Sequence, residues 1–374
     1  MSYHGRFEQA KQPKQSGKKK GLKIFLIVIA VILVLLLIFA GAAYLYLQSK
    51  LKKMNIIELP KDTYAYTEPT DEVTRPPETG AETTEATTEA TVPKMTADDI
   101  VNILFVGQAA RAGEEETMAD STMLVSINTY TKEITCMSIL RDSFVKLPDY
   151  KGHQCGRAKF TVCYNLGYQW GGGTAGGMEM TNICLKDNFG IEVDYNVEVS
   201  FDSFIKMIDY IDGVDIDLTQ AEADYLNKDT LYVKRTIEPG VQRLQGMEAL
   251  SYARMRKAAG DSESDIKRTE RQRKVVEALL EKFRYRSIAD LNKWIDILLP
   301  MVSTTMTPTD VTKLAARVLP IFSELKIKGA TVPMEGWGDM VDIYNDGQIH
   351  SVMRFDTAKE KKLIRAITEA EVSN

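Results

Sequence analysis

The pattern of hydrophobic and polar positions changes character along the chain. Residues 24–47, IFLIVIAVILVLLLIFAGAAYLYL, run for 24 positions without a formal charge. At about 1.5 Å per residue such a helix reaches roughly 36 Å, enough to cross a hydrocarbon core of roughly 30 Å with some tilt. Tyr44 and Tyr46 fall where an interfacial aromatic belt would lie. A cleaved signal peptide, with Ala40-Gly41-Ala42 as its cleavage site, is the competing reading. Its apolar region would span only roughly 7–15 residues, so the run predicts a retained anchor. Residues 67–94, TEPTDEVTRPPETGAETTEATTEATVPK, reverse the pattern: Thr, Glu and Pro dominate and large apolar side chains are nearly missing. Burial there cannot offset the entropy of ordering, which predicts an extended, solvated tether.

Beyond about Ala97, short apolar runs alternate with helical patterns. NILFVG (102–107) ends in Gly and reads as a buried strand, while TMLVSI (122–127) and EITCMSI (133–139) flank the turn NTYTK as a β-hairpin. GGGTAGG (171–177) reads as a flexible loop, followed by MEMTNICLKDNFG with helical spacing and Gly190 as its C-cap. YNVEVSF (195–201) alternates as a strand, DSFIKMIDYIDG (202–213) opens on an Asp cap as a helix, and VDIDL returns as a strand. LSYARMR reads as a further strand, and IKRTERQRKVVEALLEKF as a helix with Val275, Val276, Leu279 and Leu280 facing inward. From 286 onward, IADLNKWIDILLPMV and VTKLAARVLPIFSEL read as amphipathic helices, and HSVMRF (350–355) as a strand. Strands alternating with helices imply an α/β fold, a mixed central sheet between helical layers, preceded by one transmembrane helix and a disordered linker. The boundaries are 1–20 for a cytoplasmic tail, 21–48 for the anchor, 49–97 for the linker and 98–285 for the main domain. Helices and a tail at 286–374 are assigned to that same domain.

Charge adds topology. The formal net charge is −5, but residues 1–60 hold ten Lys/Arg and two Glu, or +8, which leaves −13 for the rest. Lys18, Lys19, Lys20 and Lys23 precede the apolar run and Lys50, Lys52 and Lys53 follow it. The positive-inside preference is therefore mild, and the short N-terminal tail supplies the rest: residues 1–20 inside, everything after about 48 outside. So acidic a body argues against a nucleic-acid partner. Cys136, Cys155, Cys163 and Cys184 show no CxxC or zinc spacing. Outside the membrane they have the option of one or two disulfides, Cys155 with Cys163 or Cys184 among them, with connectivity open. His4, His153 and His350 are too scattered to suggest a metal cluster, and no GxSxG elbow, HExxH or P-loop Lys-Ser/Thr is present.

Against that acidic background, residues 252–275, YARMRKAAGDSESDIKRTERQRKV, hold eight Arg or Lys among 24 side chains. Arg254 and Arg256 would project to one face of the predicted strand, and Arg268 and Gln272 to one face of the helix near its N-terminal end. Forked guanidinium groups suit phosphate oxygens, and a helix N-terminus adds partial positive charge. Brought together, the two pairs would make a pyrophosphate clamp. The competing reading is a solvated basic face with ion pairs to Asp261, Glu263, Asp265 and Glu270. Asp120 sits just before a strand, where a carboxylate either holds Mg²⁺ with substrate phosphates or caps a turn. Arg141 and Asp142, in SILRDSFVKLP, lie at a strand end, where α/β proteins build ligand sites, or else form a structural ion pair.

In chain order, NILFVG, ADSTMLVSIN, SILRDSFVKLP, AKFTVCYNLG, GVDIDL, LQGMEALSYARMRK and RTERQRKV together resemble the LytR–CpsA–Psr (LCP) family of cell-wall glycopolymer transferases, over roughly residues 100–283. The succession of tail, anchor, tether and external domain is similar too. The resemblance implies that 98–285 is an LCP-like catalytic domain, held outside the cell membrane of a Gram-positive-type envelope by a single-pass anchor. It implies Mg²⁺-dependent transfer of a phosphoglycan, such as teichoic acid or capsule, from a polyprenyl-pyrophosphate carrier to peptidoglycan. By motif, Arg141, Lys159, Arg254, Arg256, Arg268 and Gln272 are its implied pyrophosphate ligands, and Asp120 its implied metal ligand. Arg141, Asp120 and Asp142 are the implied catalytic set. The chain departs from the family pattern where Ala109 replaces the second carboxylate of Gly-x-Asp, where Met118 replaces an Arg and where Lys267 replaces a Gly. Glu114–Glu116 or Asp142 are the carboxylates left to substitute. The change at Ala109 keeps a second function open, that of a non-catalytic protein binding polyprenyl-linked glycans or wall polymer.

Overall fold

Period-two alternation builds the centre of the molecule. The structure, a computed structural model, describes residues 49–60, 99–108, 119–256, 264–284, 288–334, 338–345 and 348–368. The apolar run 24–47 and the tether 67–94 lie outside the described residues. Among the described residues no helix is long and apolar enough to cross a membrane. The chain divides into two compact units, Met1–Lys52 and Lys53–Asn374, and the architecture below is that of the second.

Its strands are β1 (Asn55–Ile56), β2 (Ile100–Gln108), β3 (Ala119–Asn128), β4 (Glu133–Ile139), β5 (Phe144–Lys146), β6 (Arg157–Lys159), β7 (Tyr195–Ser200), β8 (Val214–Leu218), β9 (Gly240–Leu244), β10 (Ser303–Thr304), β11 (Lys326–Val332), β12 (Gly338–Asn345) and β13 (Gln348–Phe355). Its helices are α1 (Thr161–Trp170), α2 (Thr174–Phe189), α3 (Phe201–Tyr210), α4 (Gln220–Lys228), α5 (Gly246–Arg254), α6 (Ser264–Arg284), α7 (Ile288–Leu298), α8 (Pro308–Val318) and α9 (Thr357–Thr368). The central sheet runs β1-β10-β7-β2-β3-β4-β11. Its middle, β2-β3-β4, is an antiparallel meander, with β7 parallel to β2 on one side and β11 parallel to β4 on the other.

Alternation decides what each face touches. Leu104, Val106, Leu124, Met137 and Ile139 point toward α1, α2 and Ile364 of α9. Ile103, Val125, Ile127, Ile134 and Cys136 point the other way, toward Val276 and Leu280 of α6 and Leu314 and Val318 of α8. The mixed sheet between helical layers is therefore present as the sequence implied. A further cluster joins α3 to α6 and β8–β9, and Val275 and Leu279 of α6 belong to it. The apolar stripe of α6 thus serves two cores at once. The β3–β4 turn forms because the Asn128 carboxamide oxygen accepts from the Tyr130 and Thr131 amides at 3.0 and 2.9 Å, with Lys132 at φ 57°.

Three local readings need correction. Only the first three residues of the Gly-rich segment form a loop: Thr174 starts α2, and Gly176 and Gly177 lie buried inside it. A Cβ on Gly176 would overlap the Gly167 carbonyl oxygen, and one on Gly177 would come within 2.8 Å of the Tyr164 ring. These glycines serve close helix packing. The segment LSYARMR is not a strand but the end of α5 followed by two residues outside any element, because Ala249, Tyr252 and Met255, all buried, repeat every three positions. The α3 cap is Ser200, whose hydroxyl accepts from the Ser203 amide at 3.2 Å, and Asp202 sits in the first turn instead. Gly190 does cap α2, at φ 70°. All four cysteines are free thiols, and Cys136, Cys163 and Cys184 are buried.

Candidate active site

The candidate residues gather at one end of the sheet, where β2, β4, β7 and β11 finish and β3 begins. The β2–β3 register shifts there: Gly107 pairs with Ser121 and Gln108 with Ala119, which leaves Asp120 as the extra residue of a bulge. Bulges re-aim a side chain away from the ladder. The Asp120 side chain, and with it Ala109, Met118 and Glu114–Glu116, lie outside the described residues.

The loop after β4 carries Arg141 and Asp142 and is fixed by its own backbone. The Leu140 carbonyl accepts from the Ser143 amide at 3.2 Å, Arg141 from Thr161 at 3.1 Å, Asp142 from Met353 at 2.7 Å and Ser143 from Phe160 at 2.9 Å. Four consecutive carbonyls are thus held by the loop itself, by the start of α1 and by β13. Such anchoring fixes side chains without spending their donors. Asp142 pairs with the Lys159 ammonium at 2.7 Å.

The N-terminal half of α6 approaches the same end. Arg268, 3% exposed, meets Asp265 at 2.6 Å, and the same Asp265 oxygen lies 3.7 Å from Arg141 Nε. One carboxylate therefore draws two guanidiniums from elements more than a hundred residues apart. Gln272, one turn on, accepts from the Ser121 hydroxyl at 3.0 Å and donates to the Ala253 carbonyl at 3.4 Å. Arg273 holds the helix down by donating to Ser138 Oγ, the Ala330 carbonyl and Thr331 Oγ1 at 2.9–3.0 Å.

Arg254 reaches this end by another route. Its guanidinium lies over the Phe201 ring at 5.1 Å and the Tyr232 ring at 5.9 Å, and donates to the Tyr232 hydroxyl at 3.2 Å. Phe201 directly follows Ser200, which is registered with Gln108 at the end of β2. Arg256 is exposed. The structure thus brings Arg141, Asp142, Lys159, Arg268 and Gln272 to one sheet end and sets Arg254 at its border on an aromatic pair. Of the ion pairs in the competing reading, Arg268–Asp265 and Lys267–Glu270 are both formed, so the basic cluster is partly neutralised, while Asp261 and Glu263 lie outside the described residues. Sequence reasoning missed Asp265 as a shared acceptor, and it missed Arg271, whose partner Glu222 lies far away in the chain.

Beneath the site, Glu198 of β7 accepts from Tyr164 of α1 and, at 3.2 Å, from Thr174 Oγ1. Burial pushes its carboxyl above the ordinary range, although both hydrogen bonds pull down. The folded chain then binds this proton more tightly than the unfolded chain. Its stabilising effect is complete at pH values below the usual carboxylate range and fades as pH rises through the raised value. Glu198→Gln, which keeps an acceptor for Tyr164, should flatten that decline and raise stability at neutral pH. Urea unfolding at pH 5 and pH 8 measures it; an unchanged pH slope would remove the role of Glu198.

A model of the LytR_cpsA_psr family matches residues 70–361. The regulatory protein MsrR of Staphylococcus aureus is 30% identical over 272 residues, 72% of this chain and 74% of that protein. The polyisoprenyl-teichoic acid–peptidoglycan teichoic acid transferase TagT of Bacillus subtilis is 31% identical over 205 residues, 54% of this chain and 57% of that protein. Among solved structures, B. subtilis TagV superposes with a TM-score of 0.55 at 24% identity, over 74% of this chain and 99% of that one. TagT with bound octaprenyl pyrophosphate lipid superposes with a TM-score of 0.52 at 20% identity, over 74% and 94%. These structural likenesses show the fold.

Proposed function

We propose that this chain, which belongs to the LytR_cpsA_psr family, moves an anionic glycopolymer from a polyprenyl-pyrophosphate carrier to peptidoglycan on the outer face of the cell membrane. The observation that carries the reading is the convergence of Arg141 and Arg268 on one carboxylate oxygen of Asp265. Two guanidiniums positioned around a single oxyanion are also positioned for a phosphate oxygen.

In this reading the diphosphate displaces Asp265 and lies between Arg141 and Arg268, with Lys159, Gln272, Arg254 and Arg256 as further ligands. A wall-sugar hydroxyl attacks the glycan-proximal phosphorus, the bond to the bridging oxygen breaks, and polyprenyl phosphate leaves with the electron pair. Asp142 takes the hydroxyl proton. Charge grows on the leaving phosphate, and the pre-placed guanidiniums stabilise it without reorganising. A carboxylate together with phosphate oxygens is a donor set of the kind Mg²⁺ takes. Asp120 would hold that ion, whose contribution is neutralisation of phosphate charge. The apolar run 24–47 serves as the anchor and 67–94 as the tether.

The test uses the full chain in detergent with lipid-linked glycan and a peptidoglycan acceptor. Wild type should attach polymer and release polyprenyl phosphate, and Arg141→Ala should lose both. Unchanged attachment by Arg141→Ala removes the reading. The substitution at Ala109 favours a second one, binding without chemistry, and wild-type capture of the lipid-linked glycan without lipid release would support it.

A further inference from the structure

Arg254 and Arg256 are only as well placed as the backbone that carries them. Met255 ends α5 without a glycine cap, and Arg256 follows it outside the helix. The last carbonyls of a helix need partners from elsewhere. Here α6 supplies them: Gln272 donates to the Ala253 carbonyl at 3.4 Å and Arg271 Nη1 to the Met255 carbonyl at 3.2 Å.

Arg271 is 4% exposed and its partner Glu222 is 5% exposed. Arg271 Nε meets Glu222 Oε1 at 2.9 Å. The Tyr252 hydroxyl donates to the same oxygen at 3.4 Å, and Glu222 Oε2 accepts from the Thr219 amide at 3.0 Å as part of the α4 capping box. Burial pushes the Glu222 carboxyl up, but the Thr219 amide and the Arg271 guanidinium outweigh it and hold the group below the usual range. The lowered value favours the charged carboxylate, which three groups hold by hydrogen bonds. It sets the Arg271 guanidinium, and through it the carbonyl between Arg254 and Arg256.

We infer that Arg271 and Glu222 are positioning residues: a buried clasp from α4 through α6 that fixes residues 253–256, so that Arg254 and Arg256 are presented to the diphosphate. The ligand part rests on the proposed function; the backbone part does not. Arg271 itself, closed off by Glu222 and Met255, is not a ligand.

A lone Arg271→Met would strand a buried carboxylate and endanger folding, so the informative variant is Arg271→Met with Glu222→Leu, which removes both charges at similar volume. In the ligand-free full chain, amide hydrogen exchange at 253–256 should quicken by about tenfold or more while β2–β4 amides keep their protection. Geranylgeranyl diphosphate should bind about tenfold more weakly, and this loss should vanish when Arg254→Ala and Arg256→Ala are already present, the non-additivity expected of residues acting through one another. Unchanged exchange at 253–256 overturns the inference, as does an affinity loss of equal size in both backgrounds. Wild type failing to bind the diphosphate would overturn the proposed function and the ligand half of this one, while the exchange result still decides the clasp.

Discussion

On the proposed function, Arg268→Ala should lower kcat/KM for polymer transfer by about 10²–10³-fold, or about 2.7–4 kcal/mol of barrier, the range found when one pre-organised donor to a developing oxyanion is removed. The size follows from where the guanidinium lies. It is 3% exposed and held by Asp265, so it meets a ligand oxygen with little solvent screening and little rotamer entropy left to lose. Arg141 reaches the same carboxylate oxygen at 3.7 Å. Lys267→Ala, one residue away, is the control. Lys267 faces solvent and pairs with Glu270 at 3.0 Å. Exposed pairs of that kind contribute about 0–1 kcal/mol, so transfer should change by no more than about fivefold. A kcat/KM for Arg268→Ala within that same margin would mean the guanidinium never touches the reacting phosphates, and the site would have to be sought elsewhere.

Much of this was legible in the chain because the signals were periodic and local. The β3–β4 hairpin followed from two alternating runs around NTYTK, and α6 from Val275, Val276, Leu279 and Leu280. The spacing of Arg268 and Gln272 placed both on the helix face that meets the sheet end. What the sequence hid was long-range. Nothing near Arg271 in the chain announces that Glu222 buries it, since the contact is made by folding α4 against α6. Asp265 reads as an ordinary helix-face acid until Arg141 arrives from the β4 loop. The segment LSYARMR misled because seven residues are too few to separate a period of two from a period of three. The Gly-rich stretch misled for a different reason: glycine marks either freedom or closeness, and only the partner helix shows which.

That second meaning of glycine gives the largest stability effect. In GGGTAGG, Gly176 lies inside α2, and intrinsic propensity alone says that Gly176→Ala should stabilise the helix by about 1 kcal/mol. Packing says the opposite. The new Cβ would overlap the Gly167 carbonyl oxygen and the Gly171 Cα, both backbone atoms that no rotamer change moves aside. Forcing α1 and α2 apart also disturbs their buried contacts: Gly177 packs on the Tyr164 ring and the Cys163 thiol sits 3.4 Å from the Met180 carbonyl. Overpacking of this kind costs about 3 kcal/mol or more, enough to lower the melting temperature by roughly 5 °C or more in a protein of this size. Gly156→Ala, which meets nothing within 4 Å and has no positive φ, should be neutral or slightly stabilising. The damage should reach the chemistry as well. The first amide of α1, Thr161, holds the Arg141 carbonyl at 3.1 Å, and Lys159 lies two residues before it. A shift of α1 therefore moves the loop that presents Arg141, and transfer should fall even at temperatures where Gly176→Ala remains folded. Thermal unfolding followed by circular dichroism, with transfer measured well below the transition, tests both halves. A melting temperature equal to or above wild type would show that propensity rules at this position and that the two helices have room to spare.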